Sequence, residues 1–536
     1  MATPGTTTAP DAHVDGIPDT IDAAVLKIAG VVVLGAIMSI LDITVVNVAL
    51  PTFQTEFADG GQPLPYSTVA WTVTAYTLAL ATVIPLTGWA ADRFGTKRLY
   101  LLALLLFTAG SALCATATSI EMLIGFRVLQ GLGGGMLMPL GMTIMTRAAG
   151  PHRMGRLMAI LGVPMLLGPI LGPILGGWLI DNASWHWIFL INVPIGAVAL
   201  ATAFRVLAKD RPEPSQSFDV VGMLLMSPGL ALFLYGVSSI PGEGTFWSAK
   251  VGIPATVGVL MLLAFVWYSF RPEHPLLDLR LFRNRNLTVA TITMFLFAMA
   301  FFGGLLLVPT YFQQVRGEDT FSAGLLVAPQ GIGAMLTMPI AGALVDRIPV
   351  GRIVPFGLLL ITGGMFALTQ ITATTSYTYL IVVLFVMGLG MGATMMPIMT
   401  SALKTLPSHE VARGSTLLNI TQQVASSIGV AVMSVLLTNG LRSSELVQAG
   451  QQVATDPATA MQDPGVAALV QQYGQGFEAA VREAMAAAFA HTYWVAAFLV
   501  SLTLVSALFL PRRHEESHLL DDVEQAGRAS TPVVLH

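Results

Sequence analysis

Charge is the scarcest resource in this 536-residue chain: Asp, Glu, Lys and Arg make up only 10 % of it. A soluble domain carries about 25 % charged residues to cover its surface. The 26 basic residues leave a net charge of −4 and no basic footprint for nucleic acid. A single cysteine, Cys114, excludes an intramolecular disulfide and gathers no metal-ligand cluster around it. No Gly-x4-Gly-Lys-Ser/Thr segment is present, which excludes ATP hydrolysis by a P-loop.

Apolar length is what the chain has in abundance. Residues of the AVILMFWYC set make up 54 %, mean hydropathy is +0.73, and long apolar runs recur from residue 26 to 510. About 20 apolar residues cross a bilayer as a helix. Charged or Pro/Gly-rich breaks then place helices 1–7 near 26–50, 69–91, 99–118, 121–146, 157–180, 188–207 and 220–240. Helices 8–14 fall near 251–270, 287–312, 321–345, 353–372, 378–403, 414–438 and 486–510. The runs lack the alternation of a transmembrane barrel strand. The chain is therefore an all-α polytopic membrane protein with 14 transmembrane helices.

Basic residues orient the spans. With the N-terminus inside, 21 of the 26 Lys and Arg fall in cytoplasmic segments; Lys250, Arg316, Arg442 and Arg482 fall outside, and Arg127 lies within a span. Retention of Lys and Arg in the cytoplasm creates this bias, and one missed helix would invert every later loop. Both termini are expected in the cytoplasm. Residues 1–24 lack the basic start of a signal peptide and read as an N-terminal tail. Residues 511–536 form an acidic tail, and 439–485 is the one long outer loop, with a helical stretch expected at 464–484.

Two parts of the chain match at a nearly fixed offset. Gly88-Trp-Ala-Ala-Asp92-Arg93 matches Gly342-Ala-Leu-Val-Asp346-Arg347 at 254 residues; Gly131-Leu-Gly133 matches Gly388-Leu-Gly390 at 257. Leu50-Pro51 and Val308-Pro309, each ending a predicted helix, match at 258. The parse is six helices over 25–207, a linker with two inserted helices over 208–286, and six more over 287–510. Parallel repeats of this kind place a transporter's substrate site at the midplane between two bundles.

Several segments resemble the 14-helix drug:proton antiporters of the major facilitator superfamily, the EmrB/QacA type. They are Leu41-Asp42-Ile-Thr44-Val-Val-Asn47-Val-Ala-Leu-Pro51 in helix 1, Gly88-Trp-Ala-Ala-Asp92-Arg93-Phe-Gly95-Thr-Lys97-Arg98 after helix 2, and Arg127-Val-Leu-Gln130-Gly131-Leu-Gly133 in helix 4. Gly168-Pro169-Ile-Leu-Gly172-Pro173-Ile-Leu-Gly176-Gly177 is similar to the antiporter motif of helix 5. Trp185 to Gly196 and His274 to Phe282 complete the pattern. The resemblance implies the major facilitator fold and a proton-coupled exporter of bulky hydrophobic compounds, a multidrug efflux pump of the bacterial plasma membrane. An exporter of an endogenous lipid, metabolite or siderophore is the alternative. No cofactor is implied beyond the proton-motive force; the partners are the bilayer, amphipathic small molecules and protons.

The residues carry their own arguments. Asp42 is the one carboxylate deep in a predicted span, where insertion costs about 2.5–3.5 kcal/mol, so it faces protein or a wet cavity. It is a proton- or substrate-coupling acid or a structural hydrogen-bond partner. Arg127, the one deep base, stays charged and needs a partner or water; the resemblance links it to proton coupling, and anchoring of backbone carbonyls is the other reading. Thr44, Asn47, Tyr76 and Gln130 are substrate-cavity candidates. Gly168, Gly172 and Gly176 make one smooth face on helix 5 beside Pro169 and Pro173, suited to close packing and bending. Gly88, Asp92, Arg93, Gly95 and Arg98, with Asp346 and Arg347 in the second copy, read as a conformational latch. That second copy places its glycine four residues after the Arg, not two, so a weaker latch is expected there. Helix 9 from Met294 to Ala300 has no acid, which makes coupling asymmetric. Helix 10 also lacks the buried acid of the family members that favour divalent cations, so the resemblance implies neutral or monovalent lipophiles over dications. His514-Glu-Glu-Ser-His518 fits a zinc-protease pattern but has no scaffold around it.

Overall fold

The computed structural model describes residues 22–58, 64–149, 153–209, 217–243, 245, 247–407 and 410–513. Within them every regular element is helical. The long helices are α1 (Ala23–Glu56), α2 (Trp71–Phe94), α3 (Thr96–Cys114), α4 (Ile120–Ala149), α5 (Met154–Asn182), α6 (Asn192–Val206) and α7 (Val220–Glu243). They continue with α8 (Ala249–Ser269), α9 (Arg285–Gln314), α10 (Thr320–Val345), α11 (Val350–Leu368), α12 (Tyr377–Gly392), α13 (Val411–Arg442) and α14 (Phe477–Ala507). Thirteen helical stretches among the described residues are long and apolar enough to cross a membrane. The continuous 29-residue helix α5, on the predicted span 157–180, completes fourteen.

Polar caps start many of these helices. Asn284 accepts hydrogen bonds from the N–H groups of Asn286 and Leu287, Asp319 from Ser322, and Ser376 from Tyr379, satisfying donors that the first turn leaves open. Two prolines expected to end helices do not. α1 runs five residues past Pro51 and α9 five past Pro309. A membrane helix tolerates proline where neighbouring protein covers the freed carbonyl. Helix 12, in contrast, breaks: Ala393 and Thr394 separate α12 from a second segment, Met395–Lys404. The stretch expected as a long outer loop is mostly helical. α13 extends to Arg442, short helices occupy Glu445–Thr455, Pro457–Ala460 and Pro464–Tyr473, and α14 already begins at Phe477.

α1–α6 pack chiefly on one another, as do α9–α14, and the two groups meet along α5 against α10 and along α2 and α4 against α13. α7 and α8 form a hairpin whose α7 member lies on both α2 and α13. The end of the bundle carrying Arg93, Arg98, Arg347 and Arg413 is called the basic end below.

Candidate functional site

Asp42 sits mid-way along α1 with 1 % of its surface exposed, and Arg127 on α4 is completely buried. Their side chains form an ion pair through Arg127 Nη1 and Asp42 Oδ2. The pair is built into a larger polar network. Gln130, one turn along α4, donates to Asp42 Oδ1 at 2.7 Å and to Ser111 Oγ of α3 at 2.8 Å, and accepts from Arg127 Nη1 at 2.8 Å. Arg127 Nε donates to the Thr72 carbonyl at 3.0 Å. Asn192, the first residue of α6, donates to Ser111 Oγ at 3.1 Å and to Asp42 Oδ1 at 3.4 Å. Five helices thus meet in one network, and two of them, α4 and α6, bond the Asp42 carboxylate directly. Breaking a buried pair by removing one member costs about 3–5 kcal/mol, because the other charge stays buried.

Apolar packing seals the network. Away from the basic end, Phe53, Trp185 and Phe189 stack above it, with Phe53 and Trp185 edge-to-face at 5.5 Å. On the inner side the Tyr76 ring covers the Arg127 guanidinium at 4.1 Å. The Tyr76 hydroxyl lies 3.2 Å from Ser39 Oγ. Arg127 Nη2 has no hydrogen-bond partner, so two of the five guanidinium N–H donors are unsatisfied.

Behind that wall is a central cavity of about 330 Å³, lined by α1, α2, α4, α9 and α13. Ser39, Ile40, Ile43 and Thr44 face it, whereas Asp42 points the other way, into the α1–α6 bundle. No charged side chain is among its described lining. Its polar groups come chiefly from α13: Asn419, Gln422, Gln423 and Ser426. Gln422 Oε1 is buried and accepts no hydrogen bond, an unsatisfied acceptor in the cavity wall.

The sequence candidates divide accordingly. Thr44 lines the cavity and ties α1 to α5 by donating to the Gly168 carbonyl at 3.1 Å. Tyr76 and Gln130 do not line it; they belong to the sealed network, because α2 and α4 turn those positions into the bundle. Asn47 is exposed and faces none of the described cavities. Gly168, Gly172 and Gly176 pack directly on Ile40, Thr44 and Val45, so the smooth face of α5 seats the helix that carries Asp42. The side chains of Pro169 and Pro173 lie outside the described set.

The motif glycines also meet the opposing helices. A Cβ on Gly88 would press on α13 at Thr416 Oγ1, 3.2 Å away; one on Gly342 would meet the Gly155 carbonyl of α5 at 2.6 Å. Beside each glycine an acid bridges the two groups. Asp92 pairs with Arg413 at 3.5 Å, and Asp346 pairs with Arg156 at 3.3 Å while accepting from the Gly155 N–H at 2.9 Å. Burial holds the Asp346 carboxyl above its ordinary range, against the opposing pull of these two donors. The altered spacing of the second copy therefore does not remove its bridge across the interface. What it changes is the turn: Gly95 adopts φ 92° after α2, while Gly351 lies inside α11 against the carbonyls of Leu510 and Pro511. Arg93, Arg98 and Arg347 are exposed at the basic end. Deeper in, Thr143 of α4 meets Ser415 of α13 at 2.9 Å and floors the cavity. The bundle is closed at its basic end.

Asn192, Ser111 and the α13 polar set were not singled out from sequence as site residues. The run Asn419-Ile-Thr-Gln422-Gln423 inside an apolar helix was the available signal. The His514–His518 pattern lies outside the described residues; among those described, no group of three or more His, Cys, Asp or Glu gathers to hold a metal.

A helical bundle in two packed groups, a cavity between them and a buried ion pair beside it define a membrane transporter. The family model of the Major Facilitator Superfamily matches residues 32–430, and the chain belongs to that superfamily. It is 48 % identical to the multidrug resistance protein B homolog of Mycobacterium tuberculosis (strain H37Rv) over 94 % of this chain and 92 % of that one. It is 32 % identical to the multidrug export protein EmrB of Escherichia coli K12, over 76 % of this chain and 79 % of that one. These relatives match the EmrB-type resemblance of the motifs. Among solved structures, human MFSD10 aligns over 89 % of this chain and all of its own with TM-score 0.56 at 17 % identity. A xylose symporter variant, XylE, aligns over 94 % and 99 % with TM-score 0.59 at 16 % identity. Both show the fold alone.

Proposed function

We propose that this transporter is a proton-coupled antiporter that exports bulky, uncharged or weakly charged lipophiles from a bacterial cytoplasm. The observation that carries the reading is the sealed Asp42–Arg127 pair one side chain away from an acid-free cavity. The names of the relatives support multidrug substrates. The basic-residue bias supports a cytoplasmic basic end with both termini on that side. On that reading, closure at the basic end is the outward-facing arrangement.

Asp42 is the group that loads and releases the proton. Protonation would break its pair with Arg127 and leave the guanidinium with Gln130, the Thr72 carbonyl and the Tyr76 ring. Tyr76 connects that event to the cavity, since its hydroxyl meets Ser39 on the cavity wall. A substrate that shifts Ser39 or Tyr76 thereby biases the ion pair, and the proton biases the wall. Each proton entering down 100 mV supplies about 2.3 kcal/mol. The test is a compound panel on inverted vesicles, with uptake and proton release recorded together. Uptake with matched proton release supports antiport; uptake with no proton movement overturns it.

A further inference from the structure

We propose that the inserted hairpin α7–α8 builds part of the substrate site: a side arm of the central cavity that takes the lipophilic chain of an uncharged amphiphile. A second chamber of about 330 Å³ adjoins the central cavity, and the two share Ile43, Phe302 and Ser426 as walls. The far wall of this chamber is α7, through Val237 and Ser238. The helix is fixed there from both sides. Tyr235 stacks on Trp71 of α2 at 5.6 Å, while Val237 and Ile240 cluster with Ala431 and Val435 of α13. α7 therefore covers the crevice between the two helix groups and leaves a pocket behind itself.

The chemistry of the two chambers differs in a way that selects an amphiphile. The central cavity offers the side-chain amides of Asn419, Gln422 and Gln423 in its wall to a hydrogen-bond-donating head. The arm offers aliphatic and aromatic carbon fringed by the hydroxyls of Thr77, Ser238 and Ser427, with no charged group in its described lining. A chain entering the arm gains up to about fourfold in affinity per buried methylene. The inference rests on the reading of the central cavity as the substrate site, and does not require that transport be driven by protons.

The test uses 4-hydroxybenzoate esters from methyl to dodecyl, whose phenol supplies the donor. Binding to the full-length protein in nanodiscs is measured by calorimetry without any gradient, corrected with empty nanodiscs. Ser238→Trp fills the arm from an exposed position on α7; Ile253→Trp places the same bulk on the exposed face of α8 as control. Wild-type affinity should rise with chain length. Ser238→Trp should weaken the dodecyl ester about tenfold or more while changing the methyl ester less than about twofold, and Ile253→Trp should change neither. Affinity independent of chain length in the wild type, or a loss in Ser238→Trp that is absent or equal at all lengths, overturns the proposal. If the wild type binds esters as described but releases no proton in vesicles, the antiport reading falls and the side arm stands.

Discussion

The two helix groups that face each other across the cavity hold opposite kinds of core. At the offsets of the internal repeat, Asp42 and Arg127 correspond to Ala300 and Leu384, both fully buried. Where α1–α6 enclose an ion pair and three polar partners, the equivalent positions of α9–α14 are hydrocarbon, with Phe297 stacked on Phe301 at 5.6 Å beside Ala300. Yet both groups keep the same latch at the basic end, a glycine against the opposing helix and an acid across the interface. The bridge at the basic end is shared by both groups; the deep ion pair belongs to one. On the proposed coupling, a substrate contacting both walls would meet a passive surface on α13 and a responsive one on α1.

The strongest way to break this contrast is to unbalance the buried pair. From sequence alone, Asp42→Asn reads as harmless to folding, because it removes a charge from the membrane. The ion pair reverses that sign: Asn leaves the Arg127 cation buried without a counter-charge, and about 3–5 kcal/mol of stability should be lost. The double variant Asp42→Asn/Arg127→Gln should recover most of it. Thermal unfolding in detergent checks both, and additive losses would show that the two side chains do not act as a pair.

Next in size is a substitution that imposes the acid on the passive group. Ala300→Asp buries a carboxylate without a cation and should destabilise by about 2.5–3.5 kcal/mol with no gain in proton coupling. Coupled efflux restored by Ala300→Asp in the Asp42-deficient background would mean that either group can carry the proton.

Gly172→Leu should abolish transport in protein that still reaches the membrane, because its side chain would displace Thr44 and with it the segment of α1 that bears Asp42. Vesicle transport and surface expression measure it; retained coupling would show that this close approach is dispensable.

The smallest effects belong to the latches, and they sharpen the comparison. Asp92→Asn should open the basic end more than Asp346→Asn does. An amide at 346 still accepts from the Gly155 N–H, so one tie across the interface survives there. Cysteine accessibility at Ser415 in the two backgrounds measures the difference. Equal opening would indicate that charge at position 346 matters as much as at 92.

Much of this was legible in the sequence for physical reasons. Hydropathy length alone located fourteen spans, because a bilayer demands it, and the two deep charges stood out because lipid penalises them. The glycine spacing on α5 signalled a close approach without saying which helix approaches. What sequence hid was direction. Tyr76 and Gln130 were expected in the cavity, but each residue turns a helix by about 100°, so a small misjudgement of phase moves a side chain off the cavity wall. Asn192 and Ser111 are ordinary polar residues until three-dimensional packing brings them to Asp42. Helix ends at Pro51 and Pro309 were misread because a rule from soluble helices does not bind where protein covers the backbone.

The central claim, that Asp42 is the titrating group through which proton and substrate communicate, is tested most directly by the pH dependence of binding. A fluorescent substrate chosen from the vesicle panel is titrated into nanodisc-held wild type and into Asp42→Asn/Arg127→Gln, from pH 5 to about 9, the window in which a proton carrier must change state. Wild-type affinity should fall as the pH is lowered, since proton and substrate favour opposite arrangements, and the double variant should bind with one affinity throughout. The same pH dependence in both proteins would contradict the account.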